Sequence, residues 1–394
     1  MGAPAFAARV ETIDGVLEGP VQSFEAGLMT VAVDDELRKL PLADVDHVVI
    51  AKASPQRLKL GVAAPGGPIF CRAAMTDGDV LLARLENWTY DRIRLEPAAT
   101  EPSDVLLDVP RAHLGEIWFG TDEQIHEART FATSDEDPDF AFVLDKKGSL
   151  KRLAAELIGL HEASLVLRFD GRDRRIGLDR VVGVRLAPGG RAAPTTGFHQ
   201  RFTLRNGDSI TGHLIATTPL QWTIRTKWDQ QTRWTWTAIA AVHCRNGRRV
   251  RLDHIEPSRV EQTPWFDRVM QYRVGASLTG SEIRLRNQRY RYGLSVHSRC
   301  VLTYALAGAF EKFRSTVGFQ QPEGVTGRAV IRVRGDGRVL FENLDARGDK
   351  DPIPLSIDIT GVEALVLEVD FGPGQDVGDR VVWADAQLIR PPVH

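Results

Sequence analysis

One pattern recurs four times before residue 257, and it narrows the fold more than any other feature. Each copy opens with a glycine turn and a strand, passes a second turn into an alternating strand, and closes on a short motif leading into a β-branched strand. The first copy reads IDGVLEGPVQSF, GLMTVAV and LRKLPLADVDHVVI. The second reads TDGDVLLARLENW, DRIRLEP and LLDVPRAHLGEIWF. The third reads KKGSLKRLAAELIGL, SLVLRF and RRIGLDRVVGVRL, and the fourth RNGDSITGHLIAT, QWTIRT and TRWTWTAIAAVHC. The turn glycines are Gly15, Gly78, Gly148 and Gly207, and three of them follow Asp or Asn, a strong hairpin signal. Their spacing of about sixty to seventy residues makes each copy a small β module. In each closing motif a polar residue (Asp44, Arg111, Asp179 or Thr237) starts a single helical turn that drops Val45, Leu114, Val181 or Ile239 into a core.

The order strand, strand, strand, one 3₁₀ turn, strand resembles Sm-like or SH3-like small barrels at the level of fold pattern. Barrels are expected at residues 8–52, 68–120, 139–187 and 198–257. Modules this small bury little surface alone, so neighbours are expected to pack into a row. Residues 148–160 carry apolar side chains at helical spacing, but the other copies place a strand there, and the repeat takes precedence. Linkers rich in Pro, Gly and Ala are read at 53–68, 98–103 and 187–197. The acidic stretch 134–139 lacks the glycine-centred spacing of a calcium loop and reads as a solvated turn.

Composition excludes several classes. The 394 residues carry 50 Lys+Arg against 52 Asp+Glu, and phosphate neutralisation needs a net basic surface, so nucleic acid is not expected as a partner. Cys71, Cys244 and Cys300 are far apart, with no CxxC pair, and read as three buried thiols. No uncharged apolar run reaches the ~18 residues of a membrane helix, so membrane insertion is not expected. Ala5-Phe6-Ala7 before Ala8 reads either as the end of a secretory signal trimmed before Ala8 or as a small-residue tail without meaning.

From about Trp265 the repeats stop. The remainder holds YGLSVHSR with Gly293, His297 and Ser298, then LTYAL with Tyr304 and Leu306, then FRSTVGF with Phe313, Val317 and Gly318. VIRVRGDGRVLFEN follows with Gly335, Asp336 and Gly337, and VVWADAQL closes the series with Trp383, Ala384, Asp385 and Ala386. Five elements in this order resemble the NPCBM family of carbohydrate-binding modules. The resemblance implies a galactose-binding-like jelly-roll β-sandwich over 261–394, exported and appended to other modules, with carbohydrate or polysaccharide as partner and calcium as the cofactor it would bring. The chain departs from the family at Phe319-Gln320-Gln321, where an acid is usual, and at Asp379-Arg380-Val381-Val382 before the tryptophan. Both places fall in loops that would carry ligand or ion.

Several residues carry two readings each. His297 either donates to a sugar hydroxyl or fixes a loop. Trp383 is either a sugar platform or a core anchor. Arg284, Arg286, Arg289 and Arg291 alternate with Leu285, Tyr290 and Tyr292, which either grips an acidic polysaccharide or is an outer strand face with solvated arginines. Trp234 and Trp236, two apart, share a strand face that suits stacking on sugar; with Trp222 and Trp228 they otherwise pack between the fourth repeat and the sandwich. RNGRRVRL after them reads as a basic hairpin of that repeat. The RGD tripeptides at Arg334 and Arg347 sit at predicted β turns, where Gly-Asp is common. Asn87-Trp88-Thr89 is a glycosylation sequon in a secretory setting.

Motifs of hydrolases, metalloproteases, P-loop proteins and dinucleotide-binding enzymes are absent. The chain therefore reads as an all-β, non-catalytic carbohydrate-binding protein of a cell surface or matrix. The rival reading is a structural or assembly protein that self-associates and whose sandwich has lost its ligand. The tryptophan cluster discriminates: exposed and coplanar favours sugar, buried between modules favours the scaffold.

Overall fold

The computed structural model describes residues 7–54, 58–62, 67–99, 105–131, 138–188, 190–218, 220–265 and 269–392. The tail at 1–6 and most of the acidic stretch 134–139 lie outside the described residues. The chain divides into two compact units, Met1–Gly247 and Arg248–His394. Among the described residues no helix is long and apolar enough to cross a membrane.

In the first unit every repeat has five strands and one 3₁₀ turn. Repeat 1 runs Ala7–Thr12, Gly15–Glu25, Leu28–Val33, Glu36–Pro41, the turn Leu42–Asp44 and Val45–Val49. Repeat 2 runs Ile69–Met75, Val80–Trp88, Arg92–Pro97, Leu107–Pro110, the turn Arg111–His113 and Leu114–Trp118. Repeat 4 runs His199–Leu204, Ser209–Thr217, Gln221–Thr226, Gln231–Thr235, the turn Trp236–Ala238 and Ile239–Arg245. In repeat 3 the second strand breaks at Ala155 into Leu150–Ala154 and Glu156–His161. Around it lie Phe140–Leu144, Ser164–Phe169, Arg172–Gly177, the turn Leu178–Arg180 and Val181–Arg185.

Within each repeat the hydrogen-bonded order is four, three, two, one, five. A bulge interrupts the pairing of strands one and five in every copy, at Glu11/Thr12, Leu114/Glu116, Phe142/Val143 and Thr203/Leu204. A second interrupts strands two and three, at Val21/Ser23, Leu85/Asn87, Leu157/Gly159 and Leu214/Ala216. Bulges bend and over-twist a strand, so these repeated positions curl each sheet in the same way. The turn glycines have φ of 139°, 87°, 80° and 89°, a region side chains avoid. Val45, Leu114, Val181 and Ile239 are all buried.

The repeats do not join in chain order. Strand five of repeat 1 pairs antiparallel with strand five of repeat 4, Val48 facing Val242. Strand five of repeat 2 pairs likewise with that of repeat 3, Ile117 facing Val184. Turns of repeats 2 and 4 then meet through Asp79 and Asp208. The sequence of joints is thus 1, 4, 2, 3 rather than a row of chain neighbours. The physical reason is the strand order: strand five is an open edge, and an open edge is satisfied by any other suitably oriented edge.

One helix, Asp122–Arg129, follows repeat 2. Thr121 Oγ1 accepts from Gln124 N–H at 3.3 Å while Gln124 Oε1 accepts from Thr121 N–H at 2.9 Å, a reciprocal cap of the first turn. It packs Ile125 and Ala128 with Trp118, Phe142 and Val182.

The second unit is a sandwich of two antiparallel sheets. One sheet orders Arg273–Val274, Gly293–His297, Arg380–Ile389, Lys312–Phe319 and Ile353–Asp358. The other orders Arg259–Gln262, Cys300–Ala305, Ala364–Phe371, Arg328–Gly335 and Arg338–Arg347. Arg249–Arg251 pairs with the far end of Arg380–Ile389, opposite Gln387–Ile389. The segment RNGRRVRL is therefore split, and its second half belongs to the sandwich rather than to a hairpin of the fourth repeat. Strand alternation drives Trp383 and Val381 inward, while Val382 and Ala384 face outward. A hairpin, Ile283–Leu285 with Gln288–Tyr290, covers that outer face with Ile283 and Leu285. All three cysteines are free thiols; Cys71 and Cys300 are buried and Cys244 half-buried. Burial alone pushes Cys71 and Cys300 up to about 12, which keeps them unreactive.

Candidate functional site

The sequence candidates do not converge. His297 ends strand Gly293–His297 opposite Arg380, whereas Tyr292 precedes its start. Five residues of strand put them about 16 Å apart.

At the Tyr292 end, the Arg251 guanidinium lies 3.6 Å from the ring centroid, and Arg291 lies 5.3 Å away. Asp385 donates its N–H to Tyr292 O at 3.1 Å, and its carboxylate is 3.9 Å from Arg251. Burial pushes the Asp385 carboxyl up, against the pull of Arg251 and Arg249 and with the push of Asp253. The aromatic face is thus already occupied by the protein's own cation. Tyr290 packs on the outer-face cluster of Ile283, Leu285, Val382 and Ala384. Arg289 pairs with Glu282 at 3.3 Å, and Arg286 with Asp351 at 3.3 Å. This arginine run is a solvated hairpin face.

At the His297 end lie both places where the chain departs from the family pattern: Arg380 faces His297, and Gln320 N–H donates to Arg380 O at 2.8 Å. Asp379 is fully buried. Its Oδ2 accepts from the Ser298 hydroxyl at 2.7 Å and its Oδ1 from Arg328 N–H at 2.8 Å. Burial pushes this carboxyl up to about 6, Asp376 adds to the push, and the two hydrogen bonds work against it. Asp379 therefore ties a corner of one sheet to the start of a strand in the other. Half-buried His297 has Nδ1 3.0 Å from Ser298 O. Gln320, the other departure, is buried as well: its amide accepts from Arg284 N–H at 3.1 Å and donates to Glu282 O at 3.1 Å. Both departures hold loops together.

Beside His297, Thr263 and Arg299 exchange two backbone hydrogen bonds of 3.0 and 3.2 Å, and Gln262 Nε2 donates to Met270 O at 2.7 Å. Trp265 stands next to them, 48% exposed, edge-on to Phe371 with centroids 5.1 Å apart and planes at 83°. Arg299 Nε is 3.8 Å from Asp370. An exposed indole held edge-on by a second ring is a surface that can stack on an apolar face. Trp265 was not singled out from the sequence, where its isolation offers no pattern; the signal is exposure.

The three tryptophans nominated from sequence are core residues. Trp383 is fully buried against Phe313, centroids 6.4 Å apart. Trp234 ends inside repeat 4 with Nε1–H donating to Thr232 Oγ1 at 2.8 Å. Trp236 stacks edge-on to Trp222 at 4.5 Å, its Nε1–H donating to Thr218 O. Trp236 opens the 3₁₀ turn after the strand, so strand alternation does not govern the pair and no flat double platform forms. They fill the core of the first unit with Trp222. Both RGD motifs are also engaged internally: Arg334 pairs with Glu368 at 2.9 Å, Asp336 accepts from Ala364 N–H at 2.9 Å, and Arg347 pairs with Asp349 at 3.0 Å.

Among the described residues no three His, Cys, Asp or Glu side chains converge to hold a metal ion.

Residues 248–389 match the family model described as NPCBM/NEW2 domain. No curated protein matches the chain. Among solved structures, a CBM51 module from Clostridium perfringens GH95, in complex with methyl-galactose, aligns at 24% identity over 36% of this chain and 99% of its own, with a TM-score of 0.33. CBM51-2 of Clostridium perfringens ZmpB, in complex with GlcNAc and with its INT domains, aligns at 18% identity and a TM-score of 0.33, over 43% of this chain and 36% of its own. Tandem CBM51 modules of a family 98 glycoside hydrolase from Streptococcus pneumoniae align at 10% identity over 89% of this chain and 98% of theirs, with a TM-score of 0.33.

Proposed function

We propose that the protein is a non-catalytic carbohydrate-binding protein, exported to a cell surface or matrix, whose sandwich is the binding head. The observation that carries this reading is the NPCBM/NEW2 match across the whole two-sheet unit. The exposed Trp265, set edge-on to Phe371, supports a site on this unit. In this reading Trp265 stacks on the C–H face of a sugar, and Arg299, Asp370 and His297 bond its hydroxyls. Tyr292, Tyr290 and Arg289 stand apart and serve the sandwich surface.

The test is a glycan array probed with the full chain, galactosides and GlcNAc-ended glycans included, in parallel with Trp265→Ala and His297→Ala. A stacked aromatic supplies ~1.4 kcal/mol or more, so Trp265→Ala is expected to weaken a positive hit at least about tenfold with the melting temperature unchanged. Undiminished binding by that variant would remove this site. No glycan binding at all, with assembly that grows with concentration in analytical ultracentrifugation, would favour the structural-protein reading.

A further inference from the structure

The first unit holds a cavity of about 390 Å³ that neither the sandwich nor its ligand explains. Its wall is made by His113 from the 3₁₀ turn of repeat 2, by His213, Arg225, Thr226 and Lys227 from repeat 4, and by Thr195 from the segment between repeats 3 and 4. His213 and Arg225 are direct cross-strand partners in the antiparallel pair of strands two and three. Two side chains able to carry the same charge, set opposite each other, repel when both are charged. Lys227, its side chain 5% exposed, lies in the same wall.

Two carboxylates nearby, half-buried Asp77 and buried Asp79, have partners of their own. Asp77 pairs with the Lys227 ammonium and accepts from Asp79 N–H at 3.3 Å. Asp79 accepts from Thr211 N–H at 2.6 Å and lies 3.3 Å from Arg201. Asp229, 87% exposed at the rim, is 3.9 Å from Arg225. Thr226 Oγ1 accepts from Gln230 N–H at 3.1 Å, which leaves its proton to donate. What faces the empty space is therefore one guanidinium, two imidazoles and hydroxyl donors, with Lys227 held by Asp77 and one carboxylate, the exposed Asp229, at the rim.

From this wall we infer that the cavity binds a small oxyanion, a carboxylate, sulfate or phosphate group, of the size of a charged monosaccharide or smaller. The anion adds counter-charge inside the wall, where the ion-pair partner of Arg225, Asp229, is 87% exposed, 3.9 Å away and screened by solvent. Burial, then Lys227, hold His113 below its ordinary range, with Asp77 opposing. Burial, then Arg225 and His199, do the same for His213. A bound anion reverses these pulls, so binding takes up protons and tightens toward acid. This site is independent of the sandwich reading.

The experiment is isothermal titration of the full chain with D-glucuronate, sodium sulfate, sodium phosphate and neutral methyl-galactoside, at about pH 6 and about pH 8. Imidazole NMR signals of His113 and His213 are followed in the same titrations, which separates this cavity from any sugar bound at Trp265. Anion binding that moves both imidazoles, weakens about tenfold or more toward the higher pH and falls about tenfold in Arg225→Gln supports the inference. Glucuronate alone binding names a carboxylated sugar as the source; all three anions binding names a free oxyanion. Arg225 is half exposed, so that variant is expected to fold; His213→Gln gives a second reading. Silence of both imidazoles up to about 10 mM anion, equal binding of methyl-galactoside, or binding unaffected by Arg225→Gln would overturn it.

Discussion

Asp79 and Asp208 stand at the same position of the first turn in repeats 2 and 4, and each serves the other's strand. Asp79 Oδ2 accepts from Thr211 N–H at 2.6 Å, and Asp208 Oδ2 accepts from Leu82 N–H at 2.7 Å. Thr211 and Leu82 each lie three residues past the local Asp, so the joint is a local two-fold within one chain. The turns repeat even their inner bond: Asp79 N–H donates to Asp77 Oδ1, and Asp208 N–H donates to Asn206 Oδ1.

Burial pushes Asp208 up to about 6, while the bonds from Leu82 and Asn206 and the charge of Arg72 work against it. A raised folded value means the folded chain holds this proton more tightly than the unfolded one. The stability linked to Asp208 is thus full below about pH 4 and lost as pH rises through about 6. Asp208→Asn keeps an acceptor for Leu82 and removes the charge. It is expected to gain about 1 kcal/mol over the native chain at alkaline pH, less than the full shift because the side chain is partly solvated, and to lose that gain near pH 4. Calorimetric melting at both pH values checks this; an equal gap at both would sink it.

The two seams between fifth strands carry different chemistry at one register position. In the seam of repeats 2 and 3, Glu116 faces Arg185, and Arg185 Nε and Nη2 donate to Glu116 Oε1 at 3.0 and 2.9 Å. In the seam of repeats 1 and 4, the same position holds His47 facing His243, rings stacked 3.9 Å apart at 17°. Burial lowers both imidazoles; His47 and nearby arginines deepen the shift for His243, to about 4, while Glu11 opposes it for His47. The unfolded chain binds these protons first, so stability is lost as pH falls from about 6.5 toward 4. Glu116 is instead held below the ordinary carboxylate range despite its burial, by Trp118, Arg129 and Arg185. At pH 5, amide exchange is expected to speed up in Val45–Val49 and Ile239–Arg245 before Leu114–Trp118 and Val181–Arg185. His243→Gln should flatten the difference; equal exchange in both seams would refute the assignment.

Trp265 and Trp383 make opposite predictions. Trp383→Ala empties a site between both sheets and is expected to cost about 3–5 kcal/mol in urea unfolding. Trp265→Ala touches an exposed ring and is expected to stay within about 0.5 kcal/mol. A reversal of this order would mean that the exposed indole holds the fold.

What the sequence made legible followed from local rules. Turn glycines, alternation and the single helical turn before the last strand are set within each copy, so four copies could be read from Gly15, Gly78, Gly148 and Gly207, though with four strands each where the structure has five. The strand pair at 150–161 won over a helical spacing for the same reason. The joints were illegible. Val48, Val49, Ala241 and Val242 are ordinary strand residues, and backbone pairing leaves no mark on which edge meets which. The tryptophans kept two readings because type and spacing say nothing of exposure, and only the shared strand face was wrong: Trp234 and Trp236 straddle the end of a strand. One local signal was overlooked, Thr121 and Gln124, whose spacing marks a helix start.

The seam of repeats 2 and 3 depends on the absence of a side chain. Gly183 faces Trp118 across the two fifth strands. A Cβ at Gly183 would run into the Trp118 ring and come within 2.8 Å of Ile117 O. The matching position of the other seam holds Ala241 opposite Val49, where a smaller neighbour leaves room for one methyl. Trp118 is itself held in place: its Nε1–H donates to Glu116 on its own strand at 2.9 Å, and Phe142 stacks on it at 5.6 Å. It has nowhere to retreat. Gly183→Ala is therefore expected to cost about 2–3 kcal/mol and Gly183→Val more, with loss of the Trp118 near-ultraviolet signal. Trp118→Phe in the Gly183→Ala background should recover part of that cost, because the clash is between these two positions. Urea unfolding of the two single variants and the double variant measures the coupling. Additive losses would show that Gly183 is required by its own backbone rather than by the indole across the seam.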